Sequence, residues 1–487
     1  MLFNSDVFIT EFLPIVLAGF LAIRLWRRPE AGLLWLLGAS IYFYGYWSLW
    51  ALPLLLGSIL GNYLLGELLR RRGGQRGLLA LGVGANLALL FWFKYASFAA
   101  AQLAEATGNE PVLGWIVLPI GISFFTFQQI AYLVDIARGE TVERHPLRYA
   151  LFVSFFPQLI AGPIVHHREL APQFARAGSR PWASDLAVGA TIFTIGLAKK
   201  VLLADNLAHL ATPAFEAAAQ GGDVGMAAAW TAAVAWSLQI YFDFSGYSDM
   251  AIGLGRLFGI VLPINFASPY KAASIVEFWR RWHVTLSRFL RDYLYIPLGG
   301  NRHGRARQLL NIFLTMLLGG IWHGAGWTFV LWGAMHGAFI VVNHLWQGWR
   351  GAPAVPAPLG RALTLLAVIL AWVPFRAADL ATTGSLYGAM LGLGSAGEAA
   401  LLPAPQPTLF VFLAAGAILA LWAPNTQTLM RHVEPGLASP GYASGIEPAP
   451  RRAAWRPRAA HAILAGFAFA ACMMMLNRAT EFIYFQF

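Results

Sequence analysis

Long apolar runs separated by short basic clusters most constrain this chain, because such runs can satisfy their backbone only as helices when they leave water. In order they are Val7 to Ile23, Leu33–Trp47, Leu49–Leu69, Leu78–Phe98 and Val112–Ile136, then Val188 to Leu203, Met226 to Phe244 and Met250 to Ile264. After a polar interval come Leu309–Trp322, Trp327–Trp346, Ala362–Phe375, Leu380–Leu402, Leu409–Trp422 and Ala460–Leu476. Most are long enough to approach or cross a hydrocarbon core about 30 Å thick. Composition agrees: of 487 residues 58% are hydrophobic and 12% charged, with a mean hydropathy of +0.58, outside the range of soluble domains. The expected fold is an all-α polytopic membrane protein of roughly 11–13 embedded helices, re-entrant segments included, organised as one domain over residues 1–487.

Charge orients the chain. Val7 to Ile23 carries Glu11 and has neither a basic region before it nor a small-residue cleavage site, so it reads as a retained span. Arg24, Arg27 and Arg28 follow it, and Arg70, Arg71, Arg72 and Arg76 follow the next two runs, which places both clusters in the cytoplasm and the N-terminus outside. Lys271–Gln308 has eight Lys/Arg against two acids and is expected to be cytoplasmic. A net charge of +11 on so apolar a chain reflects this loop bias, not nucleic-acid binding. Phe152–His166, broken by Pro157 and Gly162-Pro163 and flanked by basic loops, reads as re-entrant. The lone Cys472 excludes an intramolecular disulfide and a cysteine-based zinc site, and His166-His167-Arg168-Glu169 lacks metal-ligand spacing.

Within the basic segment Phe278, Trp279, Trp282, Leu286, Phe289, Leu290 and Tyr293 recur at helical spacing, with Glu277, Arg280, Arg281, Arg288 and Arg291 opposite. This predicts an interfacial amphipathic helix holding His283 at the edge of its apolar stripe, where water meets lipid. His323 ends the apolar run Leu309–Trp322 beside Gly319, Gly320 and Gly324, glycines expected to leave room for a substrate. An ionisable group in a span is a candidate functional group. His336 falls about 140° further round a continuous helix, so that it need not share the site. Asp243 and Asp249 flank a small, hydroxyl-rich stretch that reads as a hinge between two spans.

Four stretches, Phe278-Trp-Arg-Arg-Trp-His283, Arg291-Asp-Tyr-Leu-Tyr-Ile-Pro-Leu-Gly-Gly-Asn301, Gly320-Ile-Trp-His323-Gly and Gln239-Ile-Tyr-Phe-Asp-Phe-Ser-Gly-Tyr-Ser-Asp249, resemble the membrane-bound O-acyltransferase family. The likeness is to its bacterial branch typified by the membrane subunit of alginate O-acetylation. Leu118-Pro-Ile-Gly-Ile-Ser-Phe124, Leu159-Ile-Ala-Gly-Pro163 and Phe482–Phe487 extend it nearly end to end. Two positions depart: Gly326 stands where relatives often have Asn, and His166 where they usually have a basic residue. The resemblance implies His323 as the catalytic histidine and His283 as the second polar site position.

Acetyl transfer from a thioester to a hydroxyl needs a base, donors for a developing oxyanion and a seat for the donor's phosphates. Imidazole suits the first role near neutral pH. Arg280, Arg281, Arg288, Arg291 and Arg302 are candidates for the last, and Trp279, Trp282, Trp322 and Asp243 complete the expected substrate-binding set. The donor expected is cytoplasmic acetyl-CoA, with no bound cofactor and no metal. The expected acceptor is a cell-envelope polysaccharide, alginate first, with peptidoglycan, cellulose or a teichoic acid as alternatives, reached through a periplasmic SGNH-hydrolase-like acetyltransferase or another acyl-accepting partner. The expected location is the bacterial inner membrane, among its lipids. A solute transporter or lipid flippase is the competing class, against which stand the lack of an internal repeat and of paired broken helices.

Overall fold

The computed structural model describes residues 1–26, 28–140, 144–176, 182–393, 407–442, 447, 454–476 and 482–483, and among these the regular structure is entirely helical. The distal part of Leu380–Leu402, Arg451 and Arg452, and Tyr484–Phe487 lie outside the described residues. The chain opens with α1 (Leu13–Leu25), α2 (Pro29–Trp47), α3 (Leu52–Arg71), α4 (Arg76–Lys94), α5 (Ala96–Thr107) and α6 (Ile122–Ala137). Short helices follow: α7 (Pro146–Ser154), α8 (Phe156–Leu159) and α9 (His167–Ala175). The centre is α10 (Trp182–Ala198), α11 (Asp205–Ala219) and α12 (Met226–Leu257). Next come α13 (Ile275–Arg281), α14 (Val284–Leu290), α15 (Gly304–His323), α16 (Trp327–Gly348), α17 (Ala357–Arg376), α18 (Leu380–Met390), α19 (Pro407–Leu421), α20 (Thr426–Leu429) and α21 (Ala459–Met475). Six helices among the described residues are long and apolar enough to cross a membrane, including Val7–Leu25, Leu49–Arg71 and Arg76–Lys94 near the N-terminus. The protein is a multi-pass membrane protein.

The expected hinge at Asp243–Asp249 is absent. Residues 226–257 form one helix, α12, buried throughout from Ala235 to Leu257, and at 1.5 Å per residue it is about 48 Å long. The small residues serve close packing instead: a Cβ on Gly253 would lie 2.5 Å from Phe193 N, and one on Gly196 would lie 2.5 Å from Gly246 O. Helices α10 and α12 thus meet backbone to backbone, as small residues allow in membranes. The acids are neutralised by partners: Asp243 by Lys200 at 2.7 Å, Asp249 by Lys199 at 2.6 Å and Asp185 by Arg256 at 2.9 Å. Buried charge is tolerable when so paired.

Phe152–His166 is the irregular, protein-covered stretch that its prolines predict. It holds the end of α7, the single turn α8 and an extended run, all buried. Phe156 N–H donates to Ser40 Oγ at 3.2 Å and Ile164 N–H to Thr285 Oγ1 at 3.0 Å, replacing bonds that a regular helix would supply.

The single amphipathic helix expected across His283 is also absent. Helix α13 stops at Arg281, His283 adopts a left-handed conformation (φ 41°, ψ 52°), and α14 starts at Val284. The break is stabilised from outside: Asn265 O accepts from Val284 N–H at 2.9 Å and Arg281 O accepts from Ala267 N–H at 2.9 Å. His283 is fully buried, so it does not lie at a water–lipid boundary. Periodicity registered which residues share a side and could not register the loop at Asn265, eighteen residues before His283, that competes for the backbone.

Candidate active site

His323 is the last residue of α15, and a twenty-residue helix separates it by about 30 Å from the exposed basic stretch Arg302–Arg307. The chain leaves the helix in extended conformation at Gly324 (φ −159°), so the final carbonyls are not closed by a left-handed glycine cap. They are closed from α4: Lys94 Nζ donates to Trp322 O at 2.7 Å and to His323 O at 2.8 Å, and Tyr95 Oη donates to Ile321 O at 2.9 Å. A cation at a helix C-terminus is electrostatically favoured, and this one holds the turn that carries His323.

The His323 imidazole is buried within rings, with centroids 4.9 Å from Trp332, 5.0 Å from Trp322 and 5.4 Å from Phe375. His283, Lys94 and His336 lie close enough to interact with it electrostatically. His336 therefore belongs to the same centre. The 140° estimate assumed one helix through residues 323–336, but the chain turns at Gly324–Gly326 and α16 runs back along α15. The glycines serve this hairpin. A Cβ on Gly320 would lie 2.4 Å from Phe329 O, and one on Gly324 would lie 2.1 Å from the Phe329 ring. The space expected for substrate around Gly320 and Gly324 is thus filled by α16, while Gly319 faces Leu290 of α14.

Two tautomers follow from donors that cannot reverse. Asn265 Oδ1 accepts from the Thr285 backbone N–H at 3.2 Å and from Thr285 Oγ1 at 2.9 Å, which identifies that atom as oxygen; His283 Nδ1, 3.0 Å away, must then carry a proton and donate. In a neutral His283 the basic lone pair is on Nε2. At His336 the order is reversed: Trp279 Nε1–H donates to Nδ1 at 3.3 Å, so the proton of the neutral ring is on Nε2.

The remaining candidates are distributed unevenly. Trp279, Trp282 and Trp322 are buried in the aromatic shell; Trp282 lies 4.9 Å from Trp372, and Trp322 stacks on Phe127 at 4.8 Å. Asp243 faces Lys200 and accepts from Ile483 N–H at 3.0 Å, in the packing of the chain's C-terminal end. Phe482 beside it stacks on Tyr247 at 4.3 Å and packs against Phe244, whose ring is 4.7 Å from His283.

The arginines do not form the open polar face expected of them. Arg288 is 2% exposed, bonded to Glu169 by both terminal nitrogens and to Ser439 at 3.2 Å. Arg281 pairs with Glu277 at 2.7 Å, and Arg291 pairs with Asp292 at 2.7 Å and lies over the Tyr442 ring. Arg280 and Arg302 are exposed. His166 is buried, its Nδ1 3.0 Å from Tyr293 Oη, which donates to Asp135 at 2.7 Å. No group of three or more His, Cys, Asp or Glu able to hold a metal ion occurs among the described residues.

Sequence reasoning missed Asn265, Lys94 and Trp332. Lys94 had a usable signal, a lone cation within the apolar run Leu78–Phe98; Asn265 and Trp332 had none beyond their type.

Fold and site together define an integral-membrane enzyme with an imidazole centre sealed in aromatic rings. Residues 142–375 match the model of MBOAT, the membrane-bound O-acyltransferase family. The chain is 43% identical to the peptidoglycan O-acetyltransferase of Helicobacter pylori, over 81% of this chain and 80% of that one. It is 45% identical to the probable alginate O-acetylase AlgI of Pseudomonas aeruginosa, over 81% and 76%, and 40% identical to the protein of that name in Pseudomonas syringae over the whole of both chains. The chain belongs to the membrane-bound O-acyltransferase family and is an O-acyltransferase.

Proposed function

We propose that this protein takes an acetyl group from acetyl-CoA on the cytoplasmic side of the bacterial inner membrane and passes it to a hydroxyl outside, for O-acetylation of a cell-envelope polysaccharide. The observation that carries this reading is the position of His323: it ends a twenty-residue helix whose other end is the exposed basic stretch, and it is buried with His283 and His336 near it. His323 removes the hydroxyl proton, and His283 presents Nε2 to the donor or acceptor. Exposed Arg280 and Arg302 receive the donor's phosphates. Alginate and peptidoglycan are both acceptor classes supported by the names of relatives at 45% and 43% identity. An extracytoplasmic acyl-accepting partner, of SGNH-hydrolase type, completes the delivery.

The test uses purified protein in vesicles with labelled acetyl-CoA, without any ion gradient. Expected are thiol release by the native protein and a loss of about 10²–10⁴-fold in both His323→Ala and His323→Gln, since glutamine bonds hydrogen but cannot take a proton at neutral pH. Near-native transfer by His323→Gln would remove His323 as the base. Supplying alginate or peptidoglycan with the cognate periplasmic fraction then separates the acceptors.

A further inference from the structure

Among the described residues three buried N–H groups near His323 have no acceptor, those of Trp322, Trp332 and His336. Trp332 is 1% exposed and its Nε1 has no hydrogen-bond partner among the described residues; His336 is fully buried and its Nε2 has none there either. An indole nitrogen is always a donor, and the bond from Trp279 leaves the proton of neutral His336 on Nε2, so both orphan atoms are donors. Leaving such a group unpaired is costly, and native proteins rarely carry one without a reason. Two of the three sit on adjoining rings: Trp332 is centred 4.8 Å from His336 and 4.9 Å from His323, standing edge-on to both. Trp279 packs on both donors, 5.8 Å from Trp332 and 5.0 Å from His336, and so holds them together.

We propose that Trp332 Nε1–H and His336 Nε2–H are the oxyanion donors of the acyl transfer, a pair that receives the acetyl carbonyl oxygen. The assignment rests on the reading of the protein as an acetyltransferase with His323 as base. The acceptor hydroxyl oxygen bonds to the thioester carbonyl carbon while its proton passes to His323. The carbonyl π pair moves onto oxygen, and that oxyanion accepts from Trp332 and His336. On collapse the pair returns, the carbon–sulfur bond breaks, and the leaving thiolate takes the proton from His323, giving ester and thiol. Fixed donors aimed at a charge that exists only in the transition state raise the rate without tightening ground-state binding.

The experiment replaces Trp332 with 3-benzothienylalanine, an isostere with sulfur in place of the indole N–H, and separately makes Trp332→Phe and His336→Phe. Acetyl-CoA turnover in vesicles and the thermal midpoint are read for each. The isostere is expected to keep the midpoint and the KM for acetyl-CoA within about twofold while kcat falls by about 10²–10³-fold, as for loss of one oxyanion donor. His336→Phe is expected to lower kcat similarly, and combining it with the isostere to cost less than the product of the two. An isostere with native kcat overturns the assignment, as does a loss lying entirely in KM. Failure of the native protein to consume acetyl-CoA would instead sink the donor reading on which the assignment rests.

Discussion

His283 Nδ1 lies 3.0 Å from Asn265 Oδ1, an oxygen that also accepts from Thr285, so one amide sets the tautomer of the histidine and anchors the start of α14. The bond spans eighteen residues and joins the loop after α12 to the break between α13 and α14. Asn265→Ala removes the acceptor and lets the proton of His283 move to Nε2. Transfer should fall by roughly tenfold, the worth of one hydrogen bond of about 1.4 kcal/mol, while Asn265→Asp, which keeps an acceptor there, should retain more activity. Turnover normalised to membrane-inserted protein checks the order; equal activity of the alanine and native proteins would remove any role for the tautomer.

Lys94 holds the end of α15 through two carbonyls. Lys94→Met is expected to lower transfer and to cost about 1–3 kcal/mol of stability, because it strands acceptors at a helix end. Lys94→Arg keeps the charge and donors and should recover part of both. If the methionine variant melts and turns over like the native protein, the cap is dispensable.

Arg288 and Arg280, neighbours on the sequence pattern, should respond differently. Arg288→Gln breaks a nearly buried ion pair and leaves Glu169 uncompensated, which costs about 3–5 kcal/mol; reduced membrane levels and a lower melting midpoint are expected. Arg280→Gln should weaken acetyl-CoA binding, measured directly, with the midpoint unchanged. Native donor affinity in both Arg280→Gln and Arg302→Gln would remove the exposed arginines from the donor seat.

The orientation is tested best at Arg307. Arg305 is unsuitable because it donates to the carbonyls of His344, Leu345 and Gly348 at the end of α16, whereas Arg307 is exposed. With Cys472 replaced by alanine, Arg307→Cys should resist an impermeant thiol reagent added to intact cells and react after permeabilisation. Labelling in intact cells would invert the assigned topology.

Much of the protein could be read from the order of its residues. The helical class, the membrane and the N-terminal spans follow from apolar run length, since any such segment must satisfy its own backbone. The break in Phe152–His166 follows from proline and glycine, and the choice of His323 follows from the cost of an imidazole in a span.

What only the tertiary structure decided is how distant segments divide the polar groups among them. Asn265 turns an apparently continuous helix into two, Lys200 and Lys199 allow α12 to pass Asp243 and Asp249 unbroken, and Glu169 withdraws Arg288 from the surface. The turn at Gly324–Gly326 brings His336 back to the Trp332 ring that His323 also packs against. Periodicity records which side of a helix a residue occupies, whereas the partner that meets it there comes from elsewhere in the chain, and in a low-dielectric interior that partner determines whether a charge or an N–H is structural or left available for chemistry.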